Sequence, residues 1–345
     1  MNWALIGFGG MGGWHVDQLR TLQGVNIQGV YDIREERQAA AREKGLRAYR
    51  SLDELLSDAS VELVTIATPN DVHKPIAIAA MRAGKHVVSE KPVTVSSCDL
   101  QEMIDISKET DRIFTVHQNR RWDEDYLAVR RIIDAQALGR VFNIESRVHG
   151  SRGVAGWRGD KKHGGGMLLD WGVHMLDQLL LMVPEPVVSV YCACSYVTTD
   201  EVDDGFKSVI TFGGGITAHV EVGTSNFVNL PRWYVQGENG TTIIHDWHMN
   251  GETASVSNWD INDAVPVVTA AGITKTMAPR TEETIRRHPL PEITSDVRDF
   301  YRNVARAIKG EEPQIVTHSQ IMRVMRLMEA MFESSDKNEV VHARI

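Results

Sequence analysis

Cysteine is scarce in this chain: Cys98, Cys192 and Cys194 are three residues in 345. Three thiols cannot build the disulfide framework of a small secreted domain, and Cys192 and Cys194, two apart on a strand, point to one face rather than clasp a metal. No run of about 18 apolar residues occurs, so a membrane-spanning helix is not expected. Positive charge is in deficit, with 37 Lys and Arg against 46 Asp and Glu and a net charge of −9. That balance lacks the basic footprint of a nucleic-acid binder. The 28 Gly and 11 Pro follow no period, which excludes collagen-like and low-complexity chains. The apolar Trp3–Ile6 segment runs directly into a glycine-rich turn and leaves no space for a signal peptide. The expectation is a protein of the reducing cytoplasm with no nucleic-acid or membrane partner. What is present in quantity is core: 42% of residues are hydrophobic, and the length suits about two domains.

The first third alternates short β-branched runs with amphipathic stretches. Trp3–Ile6, Ile27–Tyr31, Val61–Ile66, His86–Val88 and Ile113–Val116 read as buried parallel strands. Leu100, Met103 and Ile104 mark one helical face between two of them, and Gly84 stops another helix. This βαβα order predicts an α/β domain over 1–121. Beyond it the texture changes. Val141–Val148, Val187–Val197, Lys207–Phe212, Ile216–Val222, Arg232–Gln236 and Thr241–His245 are strand-like and joined by short Gly- or Asn-containing turns, which predicts a large, mainly antiparallel sheet. Helical patterns over Leu168–Met182, Thr294–Ala307 and Ser319–Phe332 accompany it, so 122–345 reads as an α+β domain. The segment from Trp247 to Ile293 is weakly periodic and reads as loops with short strands.

Three constellations carry chemistry. Gly7-Phe-Gly9-Gly10-Met-Gly12 follows the first strand and opens a helix, the placement a dinucleotide site requires: glycines allow the tight turn and close backbone approach, and helix N-terminal amides face the pyrophosphate. Asp32, twenty positions past Gly12, ends the second strand where a carboxylate would accept hydrogen bonds from a ribose and repel a 2′-phosphate. NAD is thereby favoured over NADP, although Arg34 and Arg37 nearby could neutralise a phosphate. Glu90-Lys91-Pro92 follows the fourth strand, at the sheet edge where ligands of α/β folds collect. Asp170 and His174, four apart in a helical pattern behind Gly164-Gly165-Gly166, share one helix face. His245-Asp-Trp-His248 lacks the further ligands of a metal site and reads as a loop, so no metal is expected. Trp233, Tyr234 and Trp247 are candidates for a sugar-stacking wall or for an oligomer interface.

Together with Ala67-Thr68-Pro69-Asn70, His73, Asn119-Arg120-Arg121 and Trp157-Arg158, these motifs resemble, in order and over nearly the whole chain, the Gfo/Idh/MocA oxidoreductases, the family of glucose–fructose oxidoreductase and inositol dehydrogenase. The resemblance implies cofactor contacts from Gly7, Phe8, Gly9, Gly10, Met11, Gly12, Asp32, Ile33, Thr68, Pro69, Asn70, His73, Glu90, Lys91 and Asn119. It implies a catalytic set of Lys91, Asp170 and His174, with Arg158 beside the substrate. His174, with an ordinary pKa of about 6.5, suits a general base, and Lys91 suits stabilisation of an alkoxide. Asp170 would hold His174 or a substrate hydroxyl. The division of proton transfer between Lys91 and His174 stays open. The implied activity is hydride transfer between a secondary ring hydroxyl of a sugar, sugar derivative, glycoside or cyclitol and NAD. An alternative is the NAD-dependent glycoside hydrolysis that a minority of the family performs by transient ring oxidation. A homodimer or homotetramer through the C-terminal sheet is also implied.

Overall fold

A computed structural model of the chain describes residues 1–257, 259 and 265–345, and part of the weakly periodic segment lies outside these described residues. The first sheet has five parallel strands in the order β2-β1-β3-β4-β5. They are β1 (Asn2–Ile6), β2 (Asn26–Tyr31), β3 (Leu63–Ile66), β4 (His86–Ser89) and β5 (Phe114–Val116). β3 and β5 are buried along their whole length, as strands covered on both faces must be. The covering helices are α1 (Gly10–Leu19), α2 (Glu35–Glu43), α3 (Leu52–Ser57), α4 (His73–Arg82) and α5 (Ser97–Glu109). Ser51 and Ser96 cap α3 and α5 by accepting from Glu54 N and Asp99 N. Every strand of this sheet ends at the same edge, where the loops that carry Gly7–Gly12, Thr68, Lys91 and Asn119 meet.

The second sheet has nine strands in the order β15-β12-β11-β10-β6-β9-β8-β7-β16. In chain order these follow α6 (Glu124–Asp134) as β6 (Val141–His149), α7 (Val173–Met182), β7 (Val187–Ser195), β8 (Gly205–Phe212), β9 (Thr217–Gly223), β10 (Trp233–Gly237), β11 (Gly240–Ile244) and β12 (Gly251–Val256). A small hairpin of β13 (Val267–Thr269) and β14 (Gly272–Thr274) stands apart, and β15 (Ile285–Pro289) closes one edge. The chain ends through α8 (Arg298–Ile308), α9 (His318–Lys337) and β16 (Val341–His342). One pair departs from the antiparallel pattern: β6 runs parallel to β9. The cause is the crossover from β6 through α7 to the far side of the sheet, from which the meander β7-β8-β9 returns beside β6.

Both terminal helices pack back on the first sheet. Tyr301 of α8 lies edge-on to Trp3 at 5.7 Å, and both rings are wholly buried. His318 Nε2 contacts the Phe114 carbonyl at 2.9 Å, and Thr115 Oγ1 donates to Val316 O at 3.2 Å. Thr317 and Gln320 form a reciprocal cap at the start of α9. Among the described residues no helix is long and apolar enough to cross a membrane.

Candidate active site

The glycine turn is shaped by close approach. Gly7 has φ +94°, and a Cβ on it would lie 2.4 Å from Ala67 O, while one on Gly12 would lie 2.2 Å from Gly7 O. Gly9 and Gly10 instead face open space, with nothing within 4 Å of an added Cβ. No side chain caps α1. Its first amides therefore remain free for an anion. Asp32 Oδ2 accepts from Phe8 N at 2.7 Å and Oδ1 from Arg34 N at 2.9 Å, which fixes the carboxylate at the mouth of this turn. Arg34 Nε lies 3.8 Å from Asp32 on a half-exposed side chain. Ile33 is 85% exposed beside them. At the ends of β3 and β5, Thr68 Oγ1 and Gln118 Oε1 are buried without a partner. Two orphaned acceptors, an uncapped helix and an open glycine cradle along one sheet edge fit a large, polar, phosphate-bearing cofactor.

Lys91 reaches from the end of β4 to the helical segment that precedes α7. Its Nζ donates to Asp170 Oδ1 at 2.8 Å and to Asp170 O at 2.9 Å, and Arg158 Nε donates to Asp170 Oδ2 at 2.8 Å. Burial opposes ionisation of Asp170, but the charges of Lys91 and Arg158 outweigh it and hold the carboxyl below its ordinary range. The expected contact between Asp170 and His174 is not made. Residues Leu168–Gly172 form a π turn rather than α-helix, which changes the spacing along the face, and both Asp170 oxygens are taken by cations. His174 is 4% exposed, and its Nδ1 has no partner. Burial, reinforced by the charges of Lys91 and Arg120, pushes its pKa well below the ordinary value, so the ring is neutral.

Other candidates make contacts within the protein. His73 is wholly buried, with its ring nitrogens 3.0 Å from Pro92 O and 2.9 Å from Thr68 O, and it ties the β3 loop to the Lys91–Pro92 segment. Asn70 Nδ2 donates to Gly164 O at 2.9 Å, which joins the two halves of the chain across the cleft. The triple glycine accommodates protein rather than open space: a Cβ on Gly165 would meet Arg158 O at 2.3 Å, and one on Gly166 would meet Asp203 Oδ1 at 2.2 Å. Asp203 Oδ2 accepts from Leu168 N at 2.7 Å and so positions the start of the π turn; burial pushes its carboxyl up to about 6. Of the three aromatic candidates, Trp233 is wholly buried and donates to Asp125. Trp247 is 48% exposed and lies tilted against Trp171 at 6.0 Å, itself 6.1 Å from His174, with the Arg120 guanidinium 4.1 Å over the Trp171 ring. In the His245–His248 segment, Asp246 accepts from His248 N and Asn250 N and forms a turn.

Residues 1–118 match the family described as "Oxidoreductase family, NAD-binding Rossmann fold", and residues 126–243 match the GFO/IDH/MocA C-terminal domain. The chain belongs to the Gfo/Idh/MocA oxidoreductase family. An NAD-binding protein from Listeria innocua is 46% identical over 99% of both chains, with a TM-score of 0.96. Among curated relatives, the inositol 2-dehydrogenase of Salmonella paratyphi B is 30% identical over 68% of this chain and 71% of its own length. The scyllo-inositol 2-dehydrogenase (NADP(+)) of Bacillus subtilis is 26% identical over 84% of this chain and 81% of its own. None of these three is named as a hydrolase, and the glycosidase alternative draws no support from them. For this Gfo/Idh/MocA member, the structure adds residues without a local sequence signal: His15, His117 and Tyr301 around Glu90, the orphaned Gln118, and Asp203 behind the π turn.

Proposed function

We propose that this protein is an NAD-dependent dehydrogenase acting on a secondary ring hydroxyl of a sugar, sugar derivative, glycoside or cyclitol. The supporting observation is the convergence of an ammonium group, Lys91 Nζ, with a buried neutral imidazole, His174, that makes no hydrogen bond through Nδ1. NAD, when bound, supplies the hydride acceptor. The free amides of α1, Asp32, Thr68 and Gln118 would hold it. Lys91 donates to the reacting oxygen and stabilises alkoxide character, and His174 takes the hydroxyl proton. Arg158 and Lys91 fix Asp170, whose remaining lone pairs accept from a neighbouring substrate hydroxyl. The half-exposed Trp247 face offers stacking area to the apolar side of a sugar or cyclitol ring. We place residues 1–121 as the cofactor unit and 122–345 as the substrate unit. The exposed Phe142, Val188 and Val209 on the second sheet support self-association into a dimer or tetramer, which light scattering tests. The three free thiols suit a cytoplasmic location.

The test is NAD reduction over a panel of inositols, aldoses, uronates, glycosides, simple alcohols and lactate. Sites that pair hydroxyls reject analogues lacking them by factors as large as about 10⁴. The expected outcome is a polyol or sugar as best substrate, with negligible rates on simple alcohols and lactate; a higher kcat/KM for either of those than for every polyol overturns the assignment. Cofactor choice is a separate expectation. Asp32 sets a carboxylate where a 2′-phosphate would sit, so NAD binds at least about tenfold tighter than NADP, the ratio that ~1.4 kcal/mol produces. Asp32→Ala narrows the gap. Calorimetric titration of both cofactors decides it, and equal affinities in the native protein would shift the choice to Arg34.

A further inference from the structure

The carboxylate just before Lys91 is 5% exposed and enclosed by side chains from three other parts of the fold. Glu90 Oε1 accepts from His15 Nε2 of α1 and from His117 Nδ1, just past β5, both at 2.8 Å. Its Oε2 accepts from the main-chain N–H of Lys91 at 3.1 Å. The far nitrogens of both rings turn to the Tyr301 hydroxyl of α8, 2.8 Å from His15 Nδ1 and 3.4 Å from His117 Nε2. His15, Glu90 and His117 offer three potential metal-ligand atoms within 4.8 Å of one another. Yet 2.8 Å is a hydrogen-bond length, shorter than the roughly 3.3 Å separating ligands around a tetrahedral zinc with 2.0 Å bonds. The cluster is a hydrogen-bonded ring.

The hydrogen bonds to the Glu90 side chain can be kept without a charge. A glutamine could direct its two amide N–H groups at the lone pairs of His15 Nε2 and His117 Nδ1 and present its oxygen to Lys91 N–H. Both imidazoles would then donate from their far nitrogens to the Tyr301 oxygen. A buried carboxylate carries a desolvation cost that this neutral arrangement avoids. What the amide cannot supply is negative charge near a site crowded with cations. Lys91, Arg120 and His117 all act against a positive charge on His174, whereas Glu90 acts in its favour. Asp170, the neighbouring anion, is already committed to Lys91 and Arg158.

We propose that the buried charge of Glu90 is a working part of the reaction: Glu90 is a positioning residue that holds the Lys91 main chain against α1 and β5 and balances the surrounding cations when His174 becomes positively charged. This rests on the reading of Lys91 and His174 as the proton-handling pair. In the oxidation step the substrate O–H bond breaks and an N–H bond forms on His174, while the electron pair of the carbinol C–H leaves as hydride to NAD. The transferred proton is the positive charge that Glu90 offsets.

Glu90→Gln tests the charge at nearly constant shape. Melting temperature and NAD affinity should stay near native values, while kcat on the best substrate of the panel falls about 10- to 100-fold. The His174 imidazole, followed by ¹⁵N NMR in the NAD complex and assigned with His174→Asn, should titrate at lower pH in Glu90→Gln than in the native protein. Native kcat with an unmoved His174 titration would overturn the proposal, leaving Glu90 as scaffold. Failure of Glu90→Gln to fold would overturn it equally, because the fold would then require the charge. If Lys91→Ala and His174→Ala both keep native turnover, the site assignment itself fails; if both are inactive while Glu90→Gln is native, only the role of Glu90 fails.

Discussion

Lys91→Ala and His174→Ala each lower kcat by about 10²- to 10⁴-fold, the range for a lost acid, base or charge stabiliser, with NAD affinity changed little. The two losses have different origins. Lys91→Ala removes the proposed donor to the reacting oxygen and one of the two cations on Asp170, but Arg158 still covers that carboxylate, so the protein remains folded. His174→Ala removes an imidazole that makes no hydrogen bond through Nδ1, so melting temperature moves least here. Steady-state kinetics with thermal melts separate the two, and native turnover in His174→Ala would end the general-base assignment. A pH consequence accompanies it. His174, His117 and His73 all have folded-state pKa values below the ordinary 6.5, chiefly from burial. The unfolded chain therefore binds more protons than the folded one as pH falls below 6.5, and stability declines through that window. Glu90, also depressed, adds the same trend below about 4.5. Melting temperature measured from pH 7.5 to 5 should fall steadily.

Asp177→Ala destabilises the protein by about 3–5 kcal/mol, the cost of stranding a buried charge. Arg121 and Asp177 form a two-pronged ion pair with both contacts at 2.7 Å, and both side chains are nearly sealed from solvent. Arg121 also donates at 3.0 Å to Ile315 O and to Gln320 Oε1, so one guanidinium joins the loop after β5 to α7 and to the cap of α9. Removing the carboxylate leaves that guanidinium buried with only neutral acceptors. Burial pushes the Asp177 carboxyl up, against the pull of Arg121, so the pair is held at an energetic expense. The double substitution Arg121→Met with Asp177→Leu should therefore recover much of the loss. Urea unfolding of the single and double variants checks both statements; a single-variant cost under about 1 kcal/mol would show that water reaches the pair.

The first sheet was legible because its signals are local. Each strand is a short apolar run, and glycines that must adopt positive φ, such as Gly7 and Gly84, stand where the turns need them. Lys91, Asp170 and His174 could be named, but their contacts could not. A spacing of four predicts a shared face on an α-helix, and the π turn over Leu168–Gly172 breaks that premise without any residue announcing it. Nothing in the sequence around Arg158 shows that it is half of the clamp on Asp170. The partners of Glu90 come from positions 15 and 117, and Tyr301 joins them through the two imidazoles, separations that no periodicity or motif connects. The parallel pairing of β6 with β9 was hidden for the same reason: strand order depends on a crossover, not on the strands themselves.

The contact of Tyr301 with Trp3 has a bearing on how the chain is made. Strand β1 finds its neighbour in α8, 298 positions further along the chain, and the Phe114 carbonyl meets His318 after 204 positions. At about 5–20 residues per second, synthesis from β5 to Tyr301 takes on the order of 10–40 s. Through that interval the nascent nucleotide-binding half has five strands but lacks part of its cover, and Trp3, His15 and His117 face whatever the cell provides. Birth of this protein is thus a period of exposed aromatic and imidazole surface, closed only when the tail folds back.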